Sequence, residues 1–487
     1  MAVLLLALAG TAGDGWATDA PTLAARHGFA PSIVGFLLFD AADGRVLDQH
    51  RADEPFIPAS TTKITTALAA LEILGADFRF TTTLLATGPI EDGTLRGDLY
   101  LRGGGDPTLS TDDLRALAAE LRRAGVKRVA GAFHFDESLY PRSGEIDLLQ
   151  PEAAPYNPAV SALSVNYNRI ELRWQRAPGA RGFTTRVLSP ADGGAIALRG
   201  IGSGALDGEL DPRIEFVFAP TPAPRWLLSP RLAAKGSTLL PVKGDPGPVA
   251  AELFATLAAQ VGIELDAPSR GAVPPDAREV ARHDSAPLPA VATGLLRYSN
   301  NLTAELTGLA ASRQLAGTGL ALEASGRRLA AWWQDRLPDT SFAGFVASNH
   351  SGLSSTTRHS PRQLAAMLRY GYAGGTSGTR LPELLHARER AAPGAGDQDD
   401  GDGRREDAGV RAKSGTLLYA DGLVGFLTTR RGRELGFAIL LTDPDARARL
   451  DASRDVRVTS SPPEATDWTA RAKALERELV ARWRDDG

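Results

Sequence analysis

The sequence predicts an α+β fold, in which an antiparallel sheet is flanked by helices and a large region is inserted into the chain. Strand-like segments lie near both ends: a hairpin over 33–49 with its turn at Asp43-Gly44, and adjacent strands over 422–428 and 435–442. Between them, apolar residues recur at helical spacing over 58–75 and repeatedly over 288–372. The stretch 177–241 instead holds Gly, Pro and short β-like runs, which predicts a small β-rich subdomain.

Composition limits the classes of protein that the chain can be. Its 487 residues predict about three domains, at roughly 150 residues for each. The net charge of −4 and the absence of a Lys/Arg run give no reason to expect a nucleic-acid partner. Zero cysteines exclude disulfides, thiolate metal sites, a cysteine nucleophile and a lipid-modified N-terminal cysteine.

The N-terminus predicts export. Residues 1–10 form an apolar run too short to span a bilayer, and Gly15 and Ala17 suit a signal-peptide cleavage after position 17, although a basic n-region is missing. We therefore expect a signal peptide over 1–17 and a periplasmic or cell-envelope location. The alternative is an apolar N-terminal helix of the folded domain. No other stretch reaches the ~18 apolar residues of a membrane span, so the chain is predicted not to be transmembrane. Peripheral membrane or wall association and the oligomeric state are left open.

The segment 58–75 predicts a helix with a chemically loaded first turn. Its apolar face comprises Ile64, Ala67, Leu68, Leu71 and Leu74, with Pro58 ahead of its start and Gly75 as its stop. Ser60 and Lys63 are three positions apart, so they share a face near the positive end of the helix dipole. A hydroxyl beside an amine on a buried helix suggests a serine nucleophile with a lysine base. The alternative is an N-capping serine followed by a solvated lysine.

The inserted stretch is predicted in order as strands and helices joined by glycine-rich loops. Strands are expected over 78–87, 95–103, 126–136, 163–174 and 184–188, and helices over 110–125 and 248–262. Two glycine runs, 103–105 and 200–204, lack the Walker lysine or the strand–turn–helix frame of a nucleotide site and are predicted to be structural loops.

Residues 288–296 lead into the segment 297–308, and a helix through about residue 314 is expected to follow. Further helices are expected over about 320–337, 361–372 and 465–484. The acidic run Asp397–Asp407 does not place the glycine and glutamate of an EF-hand loop, which favours a solvated loop over a calcium site.

Three short motifs occur in order: Ser60-x-x-Lys63, Ser299-x-Asn301 and Lys413-Ser-Gly415. Each is common by chance, but the ordered set, at a helix start, at a loop before a helix and on a strand, resembles the serine penicillin-recognising enzymes. Ser60 and Ser299 are 239 positions apart, more than one compact domain needs. That spacing resembles the class C low-molecular-mass penicillin-binding proteins, the D-alanyl-D-alanine carboxypeptidase/endopeptidase family. The stretches 103–109, 299–305, 350–354 and 413–417 are similar to that family as well.

This resemblance implies a discontinuous domain organisation. A penicillin-binding, serine β-lactamase-like catalytic domain is expected over 18–83 and 288–487. An inserted α/β domain is expected over 84–163 and 242–287, and a β-rich subdomain over 164–241. The chain departs from the family pattern where Ser414 replaces the usual Thr, and where the acidic run stands in place of a Gly-Thr-Leu turn before Lys413.

The resemblance also implies roles around the nucleophile. Ser60 attacks a carbonyl carbon, and Lys63 accepts its proton if burial and the second cation, Lys413, depress its pKa. Ser299 relays the proton to the leaving amine, and Asn301 hydrogen-bonds the substrate amide or Lys63.

Substrate contacts are expected on the Lys413 strand. Lys413 attracts a terminal carboxylate, with the Ser414 and Thr416 hydroxyls as further donors, while Gly415 completes the motif. The backbone N–H groups of Ser60 and Thr416 form the oxyanion hole.

The expected activity is that of a serine D-Ala-D-Ala carboxypeptidase with endopeptidase action, whose partners are peptidoglycan peptides and β-lactams. Two alternatives remain: a serine β-lactamase, which is normally shorter, and a catalytically silent wall-binding protein, which has no need of all three motifs.

An α/β-hydrolase is disfavoured because no Gly-x-Ser-x-Gly elbow is present. The seven histidines show no metal-ligand spacing, so no metal and no cofactor is expected.

Overall fold

The computed structural model describes residues 16–176, 182–192, 194–208, 211–221, 223–386 and 409–485. Most of the predicted signal peptide and the acidic run 397–407 lie outside these residues. The helices of the described residues are α1 Ala20–Arg26, α2 Thr62–Leu74, α3 Thr111–Arg123, α4 Gly247–Gln260, α5 Leu288–Tyr298, α6 Asn301–Ala316, α7 Leu322–Arg336, α8 Pro361–Tyr372, α9 Leu381–Leu384, α10 Pro444–Ser453 and α11 Pro463–Asp485.

The strands are β1 Val34–Asp40, β2 Val46–His50, β3 Thr81–Ala86, β4 Ile90–Glu91, β5 Thr94–Leu95, β6 Leu99–Arg102, β7 Arg128–Val129, β8 Phe133–Asp136, β9 Arg169–Gln175, β10 Thr184–Ser189, β11 Ile196–Ala197, β12 Gly202–Ala205, β13 Phe216–Ala219, β14 Arg225–Leu228, β15 Lys235–Pro241, β16 Ser269–Arg270, β17 Arg278–Asp284, β18 Val410–Leu417, β19 Ala420–Thr428 and β20 Glu434–Thr442.

A five-stranded antiparallel sheet joins the two ends of the chain, in the order β18-β19-β20-β1-β2. Side chains alternate across it, so Leu37 and Phe39 pack with α2, α5 and α8, whereas Phe36 and Leu38 pack with α1 and α11. Both faces are apolar because helices cover both of them. The predicted antiparallel sheet flanked by helices is confirmed.

The residues between α2 and α5 build four further sheets. A mixed sheet in the order β16-β8-β6-β3-β17 packs with α3 and α4, and two sheets, β11-β10-β9-β15 and β12-β14-β13, share the same core. The fourth is the small sheet β4-β5-β7. Among the described residues of 182–241, strands with short turns dominate, as the sequence predicts. The apolar residues there alternate and have no helical spacing.

The inserted region packs directly on the helix that begins at Asn301. Leu302, Leu306 and Leu309 of α6 share one buried cluster with Tyr140 and Val160. This contact brings the chain around Tyr156 beside the start of α6.

Three predicted elements differ from those observed. The predicted strand 126–136 is two short strands, β7 and β8. The predicted strand 95–103 is also two strands, β5, which pairs with β4 in a small hairpin, and β6. The predicted strand 163–174 begins only at Arg169, because Asn166, Tyr167 and Asn168 form a left-handed turn with φ of 51°, 57° and 51°. The Asn166 and Asn168 side chains hold that turn by hydrogen bonds to Thr111 and to the Ala159 carbonyl, partners that local pattern does not reveal.

In the part of the chain that the structure describes, no helix has the length and apolar character needed to cross a membrane.

Candidate active site

Ser60 lies in a tight turn rather than in the first turn of an α-helix. A 3-10 helix spans Ala59–Thr61, and α2 begins at Thr62. Ala59 has φ of 46°, a left-handed conformation that costs a non-glycine residue roughly 1–2 kcal/mol. The prediction of one helix that begins just after Pro58 and carries Ser60 in its first turn is therefore wrong at its start. After the strained Ala59, the half-buried Ser60 lies outside α2, but its Oγ remains within hydrogen-bond distance of Lys63.

Lys63 is fully buried and has three close oxygen neighbours. Its Nζ lies 2.7 Å from Ser60 Oγ, donates to Asn301 Oδ1 at 2.7 Å, and donates to the Ser351 carbonyl oxygen at 2.8 Å. The alternative of a solvated lysine beside a capping serine is thereby excluded. The structure brings Ser60, Lys63 and Asn301 together although Asn301 is 238 positions from Lys63.

The electrostatics of the pocket favour a neutral amine. Burial, first, and the nearby Lys413 cation, second, hold the pKa of Lys63 well below its usual range, while the carboxylate of Glu305 opposes them. This agrees with the causes expected from the sequence, and adds one of opposite sign.

The Ser299-Asn300-Asn301 segment joins α5 to α6, and its three residues occupy different structural positions. Ser299 ends α5 in a left-handed conformation with φ of 54°. Asn300, not Ser299, caps α6, since its side chain accepts from the backbone N–H of Thr303. Asn301 then donates from Nδ2 to the Tyr156 carbonyl at 2.9 Å, which leaves its Oδ1 facing Lys63. The inserted region thus sets the orientation of this amide.

The Lys413-Ser-Gly motif lies on β18, the edge strand of the five-stranded sheet. Lys413 pairs with Val424, whose side chain is on the α2 face, so the buried Lys413 points toward the nucleophile side. Its Nζ donates to the Ser414 carbonyl at 2.7 Å. Gly415 sits against the Ser60 turn, where a Cβ would come within 2.6 Å of Ser60 N. Only glycine allows the strand to approach so closely.

Ser414 and Thr416 occupy the other face of β18, because successive side chains of a strand alternate. The Thr416 hydroxyl donates to Asp421 Oδ1 at 2.6 Å. Donation from Thr416 to a substrate would require this hydrogen bond to be exchanged. The roles of Ser414 and Thr416 toward substrate stay predictions.

Sequence reasoning missed three partners of the predicted residues: the Ser351 carbonyl, the Tyr156 carbonyl and the buried Glu305. Two of them are main-chain atoms, which carry no residue-type signal. The stretches around Ser351 and Glu305 were noticeable only through family resemblance.

No group of three or more His, Cys, Asp and Glu side chains suited to a metal ion occurs within the described ranges. His350 and His359 are core residues, and burial lowers the pKa of each to about 3. The site offers a hydroxyl, a buried amine whose pKa is lowered, an amide and a cation as its chemical groups.

Comparison with known proteins identifies similar chains. The model of the D-Ala-D-Ala carboxypeptidase 3 (S13) family matches residues 22–460. A D-alanyl-D-alanine carboxypeptidase from Actinomadura sp. (strain R39) is 30% identical over 445 residues, which cover 84% of this chain and 77% of that protein. The D-alanyl-D-alanine carboxypeptidase DacB of Haemophilus influenzae is 26% identical, with 83% of this chain and 84% of DacB covered.

A solved structure is similar in fold. The crystal structure of penicillin-binding protein 4 (DacB) from Haemophilus influenzae has a TM-score of 0.72 and 21% identity, covering 92% of this chain and 96% of that one. The same protein complexed with a β-lactam gives a TM-score of 0.69. At this identity the likeness bears on the fold, and it confirms the multidomain α+β architecture.

Proposed function

The chain belongs to the D-Ala-D-Ala carboxypeptidase 3 (S13) family, and on that premise we propose that it hydrolyses peptidoglycan stem peptides through an acyl-enzyme on Ser60. It is a serine-type D-Ala-D-Ala carboxypeptidase. The observation that supports the assignment of Ser60 is the set of contacts around Lys63 Nζ.

Those contacts favour one arrangement of the lysine hydrogens. Asn301 Oδ1 and the Ser351 carbonyl oxygen can only accept, so each takes one N–H from Lys63. A neutral amine has two N–H bonds and one lone pair. With both hydrogens engaged, the lone pair is left for Ser60 Oγ at 2.7 Å, and the serine hydroxyl becomes the donor. Lys63 is thus oriented as the general base.

The proposed reaction has an acylation step and a hydrolysis step, and proton transfers accompany the acylation. Ser60 Oγ attacks the carbonyl carbon of the penultimate D-Ala, and its proton passes to Lys63. Ser299 relays a proton to the leaving amine, the C–N bond breaks, and terminal D-Ala departs. Water hydrolyses the resulting ester and frees Ser60. During both steps the oxyanion accepts from the backbone N–H groups of Ser60 and Thr416, each typically contributing ~3 kcal/mol.

Substrate recognition rests on charge. Lys413 lies at the edge of the sheet on the nucleophile side and attracts the terminal carboxylate of the peptide. A β-lactam presents a carboxylate and a reactive carbonyl in a similar relation, so it acylates Ser60 covalently. The β-lactam complex of Haemophilus influenzae penicillin-binding protein 4 supports this expectation.

The same chemistry extends to peptide cross-links and to the cell envelope. A cross-link also joins a D-Ala carbonyl to an amine near a carboxylate, so endopeptidase action needs no further catalytic group. A substrate in the wall requires export, which the apolar run over 1–10 supports.

One experiment tests the assignment. The purified protein is incubated with labelled penicillin, and the modified peptide is located by mass spectrometry. We expect stoichiometric labelling at Ser60 that is lost in Ser60→Ala. Labelling at another residue, or none in the wild type, contradicts the mechanism, and rapid turnover of a chromogenic cephalosporin would instead indicate a β-lactamase.

A further inference from the structure

Glu305 is a buried carboxylate one helical turn beyond Asn301 on α6, with no exposed surface. Each of its oxygens accepts one backbone hydrogen bond: Oε2 from His350 N and Oε1 from Ser351 N, both at 2.9 Å. An unpaired buried carboxylate would be costly, and two consecutive amides offset that cost. The carboxylate therefore fixes two successive peptide groups.

The peptide between His350 and Ser351 is held from the other side as well. Thr66 Oγ1, on α2, donates to the His350 carbonyl at 2.7 Å. With its N–H bound to Glu305 and its C=O bound to Thr66, this peptide plane has one orientation. The next carbonyl, that of Ser351, is the one that accepts from Lys63.

Glu305 also acts on Lys63 through its charge. The ionisable groups that act on Lys63 are Lys413 from β18 and Glu305 from α6. The ring of His350, in the segment between α7 and α8, instead has its Nε2 2.6 Å from Ser325 Oγ. His350 is neutral because burial lowers its pKa to about 3. Burial, the largest cause, raises the pKa of Glu305 above its usual value. Hydrogen bonds from the Ser351 side chain and from the backbone of His350 and Ser351 act in the opposite direction and favour the anion. The anion is the form in which both oxygens accept.

We propose that Glu305 is a positioning residue for acylation, which holds the 350–351 backbone so that the Ser351 carbonyl aims the Lys63 amine at Ser60. Its negative charge also acts on Lys63, in the direction that raises the pKa of that amine. This inference rests on the proposed function, because it assigns Glu305 a role only through Lys63. Glu305 hydrogen-bonds the 350–351 segment and acts on Ser60 only through Lys63.

The test is the pH dependence of Ser60 acylation by a fluorescent penicillin in Glu305→Gln. Glutamine keeps the shape but can accept only one of the two N–H bonds, so we expect the plateau rate constant to fall by at least about tenfold. Removing the negative charge also removes the interaction that raises the pKa of Lys63. The acidic limb of the profile is therefore expected to move to lower pH.

Two further variants separate charge from geometry. Glu305→Asp keeps the charge and shortens the reach, so its plateau should fall while its acidic limb stays at the wild-type pH. Thr66→Val removes the uncharged tether on the other side, with the same expectation. Glu476→Gln is the matched control, because Glu476 is buried on α11, across the sheet from Ser60, and should change neither quantity.

Distinct results overturn the two proposals. Wild-type protein that is not acylated at Ser60 overturns the proposed function. Wild-type acylation with an unmoved acidic limb in Glu305→Gln, or an unchanged plateau in both Glu305→Gln and Thr66→Val, overturns the role of Glu305. Should Glu305→Gln not fold, an unchanged Thr66→Val plateau still contradicts the positioning argument.

Discussion

Gly415 of the edge strand lies directly against the main chain of the nucleophile, Ser60. A Cβ built on Gly415 would stand 2.6 Å from Ser60 N, 2.8 Å from Thr61 N and 2.8 Å from the Pro58 carbonyl oxygen. These neighbours are backbone atoms, so they cannot rotate away as a flexible side chain could. The width of the cleft between β18 and the Ser60 turn is therefore set by the missing side chain.

Gly415→Ala is expected to abolish most acylation while the protein still folds. The added methyl forces the strand and the turn apart, and a shift of about 1 Å at a reacting centre costs roughly 10²-fold in rate. Penicillin acylation kinetics and thermal melting measure the two effects. Gly294→Ala on α5 is the matched control: its Cβ meets nothing within 4 Å, and alanine should stabilise that helix by about 1 kcal/mol. Acylation of Gly415→Ala at the wild-type rate would show that the contact does not set the cleft.

Lys413→Gln is expected to move the acidic limb of acylation to higher pH. Burial is the larger cause of the depressed Lys63 pKa and Lys413 the second, so loss of this cation raises the pKa of Lys63. The shift is opposite in sign to that expected for Glu305→Gln. Without the Lys413 ammonium, the terminal carboxylate of the substrate loses its charged partner. KM for a D-Ala-D-Ala peptide should therefore rise by about tenfold or more.

Arg411→Gln provides the control for Lys413→Gln. It removes one positive charge two residues away on the same strand, at an exposed position. Identical pH profiles for Lys413→Gln and Arg411→Gln would show that Lys413 does not depress the pKa of Lys63.

Asn301→Asp is expected to slow acylation by at least about 10² at neutral pH. The new carboxylate stands where the amide oxygen lies 2.7 Å from Lys63 Nζ, so it raises the pKa of Lys63 and keeps the amine protonated. It also replaces the donor to the Tyr156 carbonyl by a second oxygen. Stopped-flow acylation from pH 5 to 10, with melting temperature as the folding control, measures this. An acidic limb at the wild-type pH would contradict the arrangement of Lys63 hydrogens.

Glu72 is expected to contribute stability that depends on pH. Burial raises its pKa, but hydrogen bonds from Thr376, Tyr370 and Ser377 outweigh burial and lower the pKa to about 2. Because the folded pKa lies below the unfolded value of 4.5, the stabilisation is complete above pH 4.5 and is lost as the pH falls toward 2. Glu72→Gln should lower the free energy of unfolding by about 1–2 kcal/mol at pH 7, allowing for solvent screening.

Urea unfolding of wild type and Glu72→Gln between pH 7 and pH 3 tests this expectation. The difference between the two should shrink below pH 4.5. Glu383→Gln, an exposed glutamate on α9, is the control and should differ little from wild type at any pH. A Glu72→Gln difference that stays constant down to pH 3 would show that the carboxylate is not held by these bonds.

The sequence correctly predicted the elements that are stabilised by contacts between residues close together in the chain. Ser110 with Asp113 and Ser360 with Gln363 form reciprocal capping boxes where α3 and α8 were expected to begin. The hairpin of β1 and β2 turns at the Asp-Gly pair that predicts it. In contrast, the turn at Ser60 departs from the predicted helix because its shape depends on close packing by Gly415, which is 355 positions away in the chain.

The sequence by itself determined which side-chain types meet at the site: a hydroxyl and an amine three residues apart, an amide after a second serine, and a cation on a strand. Spacing and residue type carry that information because motif chemistry resides in side chains. Only the tertiary structure decided what orients them. The Ser351 and Tyr156 carbonyls and the backbone amides that hold Glu305 belong to the main chain, which every residue possesses. Their positions follow from the packing of the inserted region and the 349–352 segment against α6, and no local pattern encodes that packing.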